Sequence, residues 1–413
     1  MHLHYQMKRF NLSKLGPGLL FAGAAIGVSH LVQSTRAGAD FGWGLLWALV
    51  LTNLFKYPFF QAGPRFAIAT GKSLLEGYFN LGKGYLWVYF ILNFVTMFTI
   101  QTAVTIVTAG LASQLFGITE NIVAWSLIVT FACTLILFIG RYKLLDRFIK
   151  IIMAIMAICS LAAFFFALFY SDTSLSWTQT FPKGRELLFL IAFMGWMPAP
   201  LDISIWHSIW TIEKNKTNKK KINIKESLFD FNVGYIGTFV LAFCFLGLGA
   251  LVMFSSGTEF SNNGTAFAGQ LIGLYTSNFG QGLYWIIAIA AFTTMLSTSI
   301  TTLDASPRSM AQTYALLFHK KQSNEYVFWL LILAVGTGLI FIFLLSEMYL
   351  LVQIATILSF VTSPLYAFLN YKLCFGPQMP KSFQPSLQIR IIAQLGLIFL
   401  VGFTLYYLLG LLA

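Results

Sequence analysis

Charged residues are scarce in this chain. They make up 10% of its 413 residues, while hydrophobic residues make up 58% and the mean hydropathy is +0.76. Because soluble domains carry about 25% charged residues, this deficit excludes an ordinary soluble domain and indicates a protein that lies in a lipid bilayer. The net charge of +12 then reflects loops on one side of the membrane rather than a surface for nucleic acid.

Paired cysteines and recognisable catalytic motifs are also lacking. The four cysteines, Cys133, Cys159, Cys244 and Cys374, lie far apart with no CxxC spacing, so we expect them in the membrane core without a metal or disulfide role. No GxSxG, HExxH or paired-carboxylate arrangement occurs. The sequence therefore predicts neither an enzyme nor a resident cofactor. The expected partners are membrane lipid and a small-ion substrate, with no nucleic acid and no obligate protein partner.

Long apolar runs dominate the chain instead. A helix needs about 20 apolar residues to cross about 30 Å of hydrocarbon, and eleven runs meet this requirement. We therefore predict an all-α polytopic membrane protein that forms a single transmembrane domain over residues 1–413. The predicted spans are 16–37, 43–64, 86–112, 122–140, 148–170, 187–210, 229–254, 282–305, 326–346, 349–373 and 389–412.

The distribution of Lys and Arg predicts the orientation of these spans. With the N-terminus in the cytoplasm, the 26 basic residues fall on the cytoplasmic side except for Lys56, within a span, and Arg36, Lys183 and Arg185, on the far side. This arrangement satisfies the positive-inside rule. The sequence thus predicts a cell-membrane protein with a cytoplasmic N-terminus and an external C-terminus.

The sixth predicted span, 187–210, contains a break. Pro198 and Pro200 cannot lie inside a regular helix, and Asp202 follows them directly. Freed carbonyls and a carboxylate are tolerated at membrane depth where they face protein or a water-filled cavity. A broken helix of this kind is typical of a transporter substrate site. Alternatively, the prolines only kink the helix and a neighbouring residue binds Asp202.

The first predicted span is interrupted as well, by glycines, a serine and a histidine around its centre (Gly23–His30). The first and sixth spans are equivalent members of two five-helix units. We therefore predict inverted repeats over residues 16–170 and 187–373, followed by an eleventh span at 389–412.

Several stretches match a known family. They are GPGLL at Gly16–Leu20, the segment Gly63–Glu76, QLFGIT at the end of the third span, Trp206-His207-Ser208 in the sixth and Gln353 in the tenth. Together they resemble the Nramp family of proton-coupled divalent-metal transporters. The resemblance covers nearly the whole chain and implies the two-repeat fold of the leucine-transporter type, with broken helices 1 and 6.

The departures from the family fall at its active centre. Gly27 and His30 stand where the family has the metal-binding Asp and Asn of its first-span motif, and Gln101 aligns with an aspartate associated with proton movement. In the sixth span Met197-Pro198 match the family's Met-Pro, but Ala199-Pro200 replace His-Asn. If the register is counted back from His207 instead, Pro200 takes the place of the Met. Metal-for-proton exchange therefore does not carry over intact from the resemblance.

The candidate site can still be assembled from nearby donors. Asp202 offers a charged oxygen, Gln353 a neutral oxygen, His30 an imidazole and Met197 a thioether that favours Mn or Fe over Mg or Ca. These four are the predicted metal ligands. Asp202, His207 and Lys56 are the predicted proton-carrying or coupling groups. The predicted substrate-binding positions are Gly27, His30, Met197, Ala199, Asp202 and Gln353.

Lys56 has two interpretations. The favoured one is that its long side chain snorkels to the interface or pairs with a nearby acid. If it faces the centre instead, its charge would repel divalent cations, suit an anion or a zwitterion, or stand in for a coupling cation.

We predict a secondary transporter for a small ion, most directly a divalent metal cation of the Mn/Fe/Mg class, with or without proton coupling. The alternatives are an Nramp-like carrier for a non-metal solute, such as an anion or an amino acid, and an intramembrane sensor or enzyme that uses Asp202 and His207.

Overall fold

The computed structural model of the protein describes residues 16–139, 142–170, 176–217, 221–254, 261, 264–279, 284–319, 325–344 and 348–412. Every regular element in these ranges is helical, which confirms the predicted all-α class. The helices of the first half are α1 (Pro17–Ala25), α2 (Thr35–Phe41), α3 (Leu46–Thr70), α4 (Leu74–Leu81), α5 (Lys83–Phe116), α6 (Ile122–Ile139) and α7 (Tyr142–Tyr170).

The second half continues the same pattern of long helices. A π-helical segment, Ser29–Ser34, joins α1 to α2, and a second one, Gly249–Met253, extends α10. The helices are α8 (Arg185–Trp196), α9 (Ile203–Thr217), α10 (Ile224–Leu248), α11 (Gly264–Phe279), α12 (Tyr284–Phe318), α13 (Glu325–Phe343), α14 (Met348–Phe375) and α15 (Leu387–Leu412).

Helices occupy all eleven predicted spans, but fewer are apolar enough to identify alone as membrane crossings. Within the described residues, seven helices are long and apolar enough to cross, or eight if the bent pair Pro17–Ala25 and Ser29–Phe41 is one span. The second predicted span, α3, carries polar residues such as Asn53 and Lys56, which it buries against its neighbours. The count of eleven crossings therefore stays a prediction.

One face of the bundle brings together the starts of some helices and the ends of others. The Gly16 N–H, at the start of α1, donates to Asp230 near the start of α10 at 2.9 Å. The Lys372 ammonium, at the end of α14, donates to the Tyr85 hydroxyl at the start of α5 at 3.1 Å.

The opposite face joins the other ends of the same helices. The Trp47 indole N–H, at the start of α3, donates to the Thr180 carbonyl at 2.8 Å, and Phe403 of α15 lies against Trp47 with ring centroids 6.1 Å apart. The Arg36 guanidinium lies 4.2 Å from the ring centroid of Tyr349 at the start of α14. Successive spans therefore run in opposite directions, as the charge distribution requires.

Close helix crossings depend on glycine where α1 meets α10. A Cβ atom at Gly234 would lie 2.2 Å from the carbonyl oxygen of Gly18, and one at Gly18 would lie 2.0 Å from the carbonyl oxygen of Asp230. Such small residues let membrane helices approach through their backbones. This crossing holds the first half of the broken first span against α10.

We expect Gly234→Ala to destabilise the protein by about 1–3 kcal/mol, since the added methyl group must displace backbone atoms. Gly237→Ala is the matched control, because Gly237 lies one turn away on α10 with no atom within 4 Å of its Cβ position. Thermal unfolding of both purified variants in detergent tests this, and equal melting temperatures would contradict the role given to the crossing.

Candidate functional site

The first span is broken where α1 ends. The chain leaves the helix at Ile26, and the two flanking segments meet at a bend of 47°. The Thr298 hydroxyl of α12 lies 3.3 Å from the carbonyl oxygens of both Gly23 and Ile26. A Cβ atom at Gly27 would lie 2.8 Å from that hydroxyl oxygen, so glycine is what lets α12 reach the exposed carbonyls.

The sixth span is broken between Trp196 and Ile203, the end of α8 and the start of α9. In a continuous helix the N–H groups of residues 198 and 200 would bond to the carbonyls four positions earlier. Pro198 and Pro200 have no N–H. The break therefore leaves carbonyl oxygens at the end of α8 without their usual donors.

Lys56 of α3 supplies the missing donors. Its ammonium donates to the carbonyl oxygens of Met194 at 2.7 Å and Gly195 at 2.8 Å, and the residue is 0% exposed. A cation at a helix C-terminus also interacts favourably with the helix dipole. The interpretation that Lys56 snorkels to the interface is wrong, because the side chain instead reaches into the protein to cap α8.

The two breaks meet in the interior. The Ser34 hydroxyl, in the π-helical segment of the first span, donates to the Met197 sulfur at 3.4 Å. Both residues are 0% exposed. The predicted meeting of two discontinuous spans is therefore confirmed, and the Met197 sulfur is one of the atoms through which they are in contact.

A small, partly enclosed cavity of about 20 Å³ lies between the breaks, α5 and α12. This volume is enough for about one water molecule. No charged side chain lines it. Its walls are formed by Ala24, Ala25, Val28, Ser29, Ile100, Val104, Trp196, Pro200, Ile203, Trp206, Thr298 and Thr302.

The polar groups of the residues that line this cavity are hydroxyls and two indoles, of which the Trp196 N–H already donates to the Ser359 hydroxyl at 2.8 Å. Ser29, Thr298 and Thr302 contribute the hydroxyls, and the Trp206 indole N–H is buried without a hydrogen-bond partner among the described residues. A buried donor without a partner is costly unless a ligand or a water binds it. Trp206 is therefore a candidate donor to a small ligand or a water beside the cavity.

The predicted substrate-binding residues surround this cavity without lining it. The His30 Nε2 lies 2.8 Å from the Thr238 carbonyl, and its Nδ1 lies 2.6 Å from the hydroxyl of Ser29 in the cavity wall. Gln353, partly exposed, lies one turn from Thr356 on α14. Gly27, Met197, Ala199 and Asp202 are buried within the two breaks. The roles of these residues in binding stay predictions.

Asp202 is the charged group closest to the second break. It is 3% exposed, and its Oδ1 has no hydrogen-bond partner among the residues that the structure describes. Asp202 and Lys56 form no ion pair within the described chain. The alternative in which a neighbouring residue binds Asp202 leaves this oxygen unexplained.

His207, the third predicted coupling residue, lies in an aromatic cluster. Its ring stacks on Phe21 with centroids 5.8 Å apart and lies 5.7 Å from Phe231. Both ring nitrogens are buried without a partner in the described residues. The residue is thus held by packing. In the neutral ring one nitrogen can donate a hydrogen bond and the other can accept a hydrogen bond or a proton.

Sequence reasoning missed the contribution of α12. The Thr302 hydroxyl donates to the Gln101 side-chain oxygen at 2.6 Å, and the Gln101 amide lies 3.4 Å from the Ser299 carbonyl. Gln101 is therefore linked to the cavity wall through Thr302. The signal was visible as the hydroxyl-rich run TTMLSTSITT at 293–302 within an apolar span.

A dedicated metal cluster does not form around the cavity. Within the described residues, no three or more His, Cys, Asp or Glu side chains lie together as a metal site. Any bound metal ion would therefore be held by a single carboxylate together with carbonyl, hydroxyl or thioether groups.

We expect Thr298→Val to lower the free energy of unfolding by about 1 kcal/mol, because it removes the hydroxyl shared by the two exposed carbonyls of the first break. Thr293→Val on the same helix is the control, since Thr293 is exposed and bonds only within α12. The measurement is thermal unfolding of both variants. Destabilisation of similar size in both would argue against a special role for Thr298.

Known proteins and a family model match this sequence over most of its length. A family model described as natural resistance-associated macrophage protein-like (Nramp) matches residues 18–410. A protein of uncharacterised function from Pasteurella multocida is 36% identical over 401 residues, covering 95% of this chain and 91% of that protein. The divalent metal cation transporter MntH of Staphylococcus saprophyticus is 26% identical over 270 residues, covering 62% of this chain and 59% of that protein.

Solved structures share the fold. The manganese transporter of Eremococcus coleocola superposes with a TM-score of 0.72 at 17% identity, covering 95% of this chain and 85% of that chain. The amino-acid-bound MhsT superposes with a TM-score of 0.65 at 15% identity, covering 94% and 98%. The predicted leucine-transporter-type fold is thereby confirmed, while the boundaries of its repeats stay predictions. Since the family model spans nearly the whole sequence and a relative is 36% identical over 95% of it, this chain belongs to the Nramp family of membrane transporters.

Proposed function

We propose that this protein is a secondary transporter for a divalent metal cation of the Mn/Fe class and that the cation passes between the two helix breaks. The observation that carries the proposal is the buried Asp202 oxygen without a partner at the second break. A buried carboxylate oxygen needs a cation, a proton or a donor to compensate it. Relatives described as divalent metal cation and manganese transporters support the choice of substrate.

The proposed ligands follow from what the breaks expose. Asp202 supplies the negative charge, and backbone carbonyls near the breaks supply neutral oxygens. Met197 adds a sulfur whose position is set by the Ser34 hydroxyl. Because a thioether is a soft ligand, it would favour Mn or Fe over Mg or Ca.

The small volume of the cavity fits a state of such a transporter in which the two breaks lie close together. At about 20 Å³ it excludes a hydrated ion, so substrate must enter by separation of the half-helices on one side at a time. In this proposal α1 moves with α10, to which it is joined at Gly18 and Gly234. Asp202 would carry a proton in the empty state, and the gradient of that proton would drive uptake.

The proposed orientation has the N-terminus in the cytoplasm and the C-terminus outside. It rests on the distribution of Lys and Arg along the sequence and on the positive-inside rule. The proposed location is the cell membrane.

A second candidate is a carrier for an anion or a zwitterion, and the position of Lys56 favours it. A positive charge at the end of α8 opposes a divalent cation nearby, whereas the cavity offers hydroxyls and the Trp206 indole. These groups would bind a small polar solute.

We expect Asp202→Asn to reduce Mn²⁺ uptake into proteoliposomes by at least about tenfold, since loss of a charged ligand weakens a metal site at least as much as loss of an outer partner. Glu120→Gln is the control, because it removes an acidic charge from an exposed loop. Uptake is followed with a Mn²⁺-quenched dye enclosed in the vesicles.

Uptake that is unchanged in the Asp202 variant would contradict its assigned role. If the wild-type protein takes up no Mn²⁺ but takes up an amino acid or an inorganic anion, the second candidate replaces the first. Acidification of the vesicle lumen during Mn²⁺ uptake is the expected result for proton coupling.

A further inference from the structure

Lys56 occupies an unusual position for a membrane lysine. Its side chain is 0% exposed, and its ammonium donates to two carbonyl oxygens from consecutive residues of another span. Among the described residues Lys56 forms no ion pair, so its contacts are with backbone oxygen. This is the coordination that a small inorganic cation would receive from a helix end.

The end of α8 attracts a cation for two reasons. The proline break removes the backbone donors that would satisfy its last carbonyls. The aligned peptide dipoles add partial negative charge at the same point. In transporters with discontinuous helices, unwound carbonyls and the C-terminal ends of half-helices bind the coupling cation.

The site is enclosed by protein on more than one side. A Cβ atom at Gly195 would lie 2.1 Å from the carbonyl oxygen of Thr356, so α14 packs directly on the end of α8. Asp202, which is 3% exposed, lies on the chain that follows the break. A positive charge placed here is therefore shielded from lipid by α14 and by the broken span.

We propose that the position of the Lys56 nitrogen is a binding site for a small monovalent cation and that the tethered ammonium occupies it permanently. The site needs no dissociable ion in this protein because the cation is covalently part of α3. Two consequences follow: transport does not depend on Na⁺ or K⁺, and α3 and α8 move as one unit when the transporter changes state.

This inference goes beyond the proposed substrate and does not require that the substrate be a metal. It concerns the positive charge that stabilises the end of α8, so its test measures the stability of the protein instead of transport. Failure of Mn²⁺ uptake would leave it untouched.

The experiment compares Lys56→Ala with Lys56→Met. Both variants lose the ammonium, but alanine leaves space for an ion while methionine fills that space. Thermal unfolding is measured in detergent with NaCl, KCl, methylammonium chloride or choline chloride at equal ionic strength, choline being too large for the site. Lys372→Ala, which removes a lysine bonded to a side-chain hydroxyl, is the control for loss of positive charge.

We expect Lys56→Ala to melt below the wild-type protein in choline and to regain about 5 °C, saturably, in at least one of the small cations. Lys56→Met, Lys372→Ala and the wild-type protein should show no such difference among the salts. Recovery of folded Lys56→Ala only in the presence of a small cation would equally support the proposal.

The proposal is overturned if Lys56→Ala melts at the same temperature in choline and in every small cation. It is also overturned if neither variant can be obtained folded in any salt, because a free ion then cannot replace the ammonium. A saturable response of the wild-type protein to Na⁺ or K⁺ would show that the site is not permanently occupied.

Discussion

The structure depends on one requirement, that backbone carbonyls and N–H groups inside a membrane be satisfied by the protein itself. Two spans depart from regular helical hydrogen bonding, at residues 26–28 and 197–202, and a side chain from another helix contacts the carbonyl oxygens at each break. At the first break this is the Thr298 hydroxyl of α12. At the second it is the Lys56 ammonium of α3. The breaks are therefore built features of the fold, held open by specific partners.

These partners also explain why the two breaks lie together. Thr298 joins α1 to α12, Lys56 joins α3 to α8, and the Ser34–Met197 contact joins one break to the other. The result is a cavity with apolar walls, a few hydroxyls and an indole N–H, next to a carboxylate oxygen that has no partner among the described residues. The structural breaks and the candidate binding site are thus produced by the same segments.

Much of the fold could be predicted from the sequence because apolar length and proline position are local properties. The runs that predicted eleven spans all became helices, and the Pro198–Pro200 pair predicted the break before Asp202. The rotation of each helix about its own axis, which decides whether a side chain faces inward or outward, is not a local property. Lys56 could not be assigned from a pattern in which snorkelling and inward orientation look alike, and its real partners are 138 and 139 residues away.

The candidate site was predicted less completely for the same reason. His30 lies at the first break as predicted, but its Nε2 is hydrogen-bonded to the Thr238 carbonyl of α10. This contact can be predicted only when the packing of the helices is known. Thr298 and Thr302 escaped notice since threonine in a membrane helix commonly bonds to its own backbone. Their second partners, the Gly23 carbonyl and the Gln101 side chain, become visible only when α5 and α12 are placed beside α1.

The central claim is that substrate binds between the two helix breaks. The most direct measurement is anomalous diffraction from crystals of the protein grown with Mn²⁺ and, separately, with Mg²⁺. We predict a single manganese peak beside Asp202 and the Met197 sulfur, which is absent from the Mg²⁺ crystals and from Asp202→Asn. A peak elsewhere in the membrane region, or one that persists in that variant, would contradict the account.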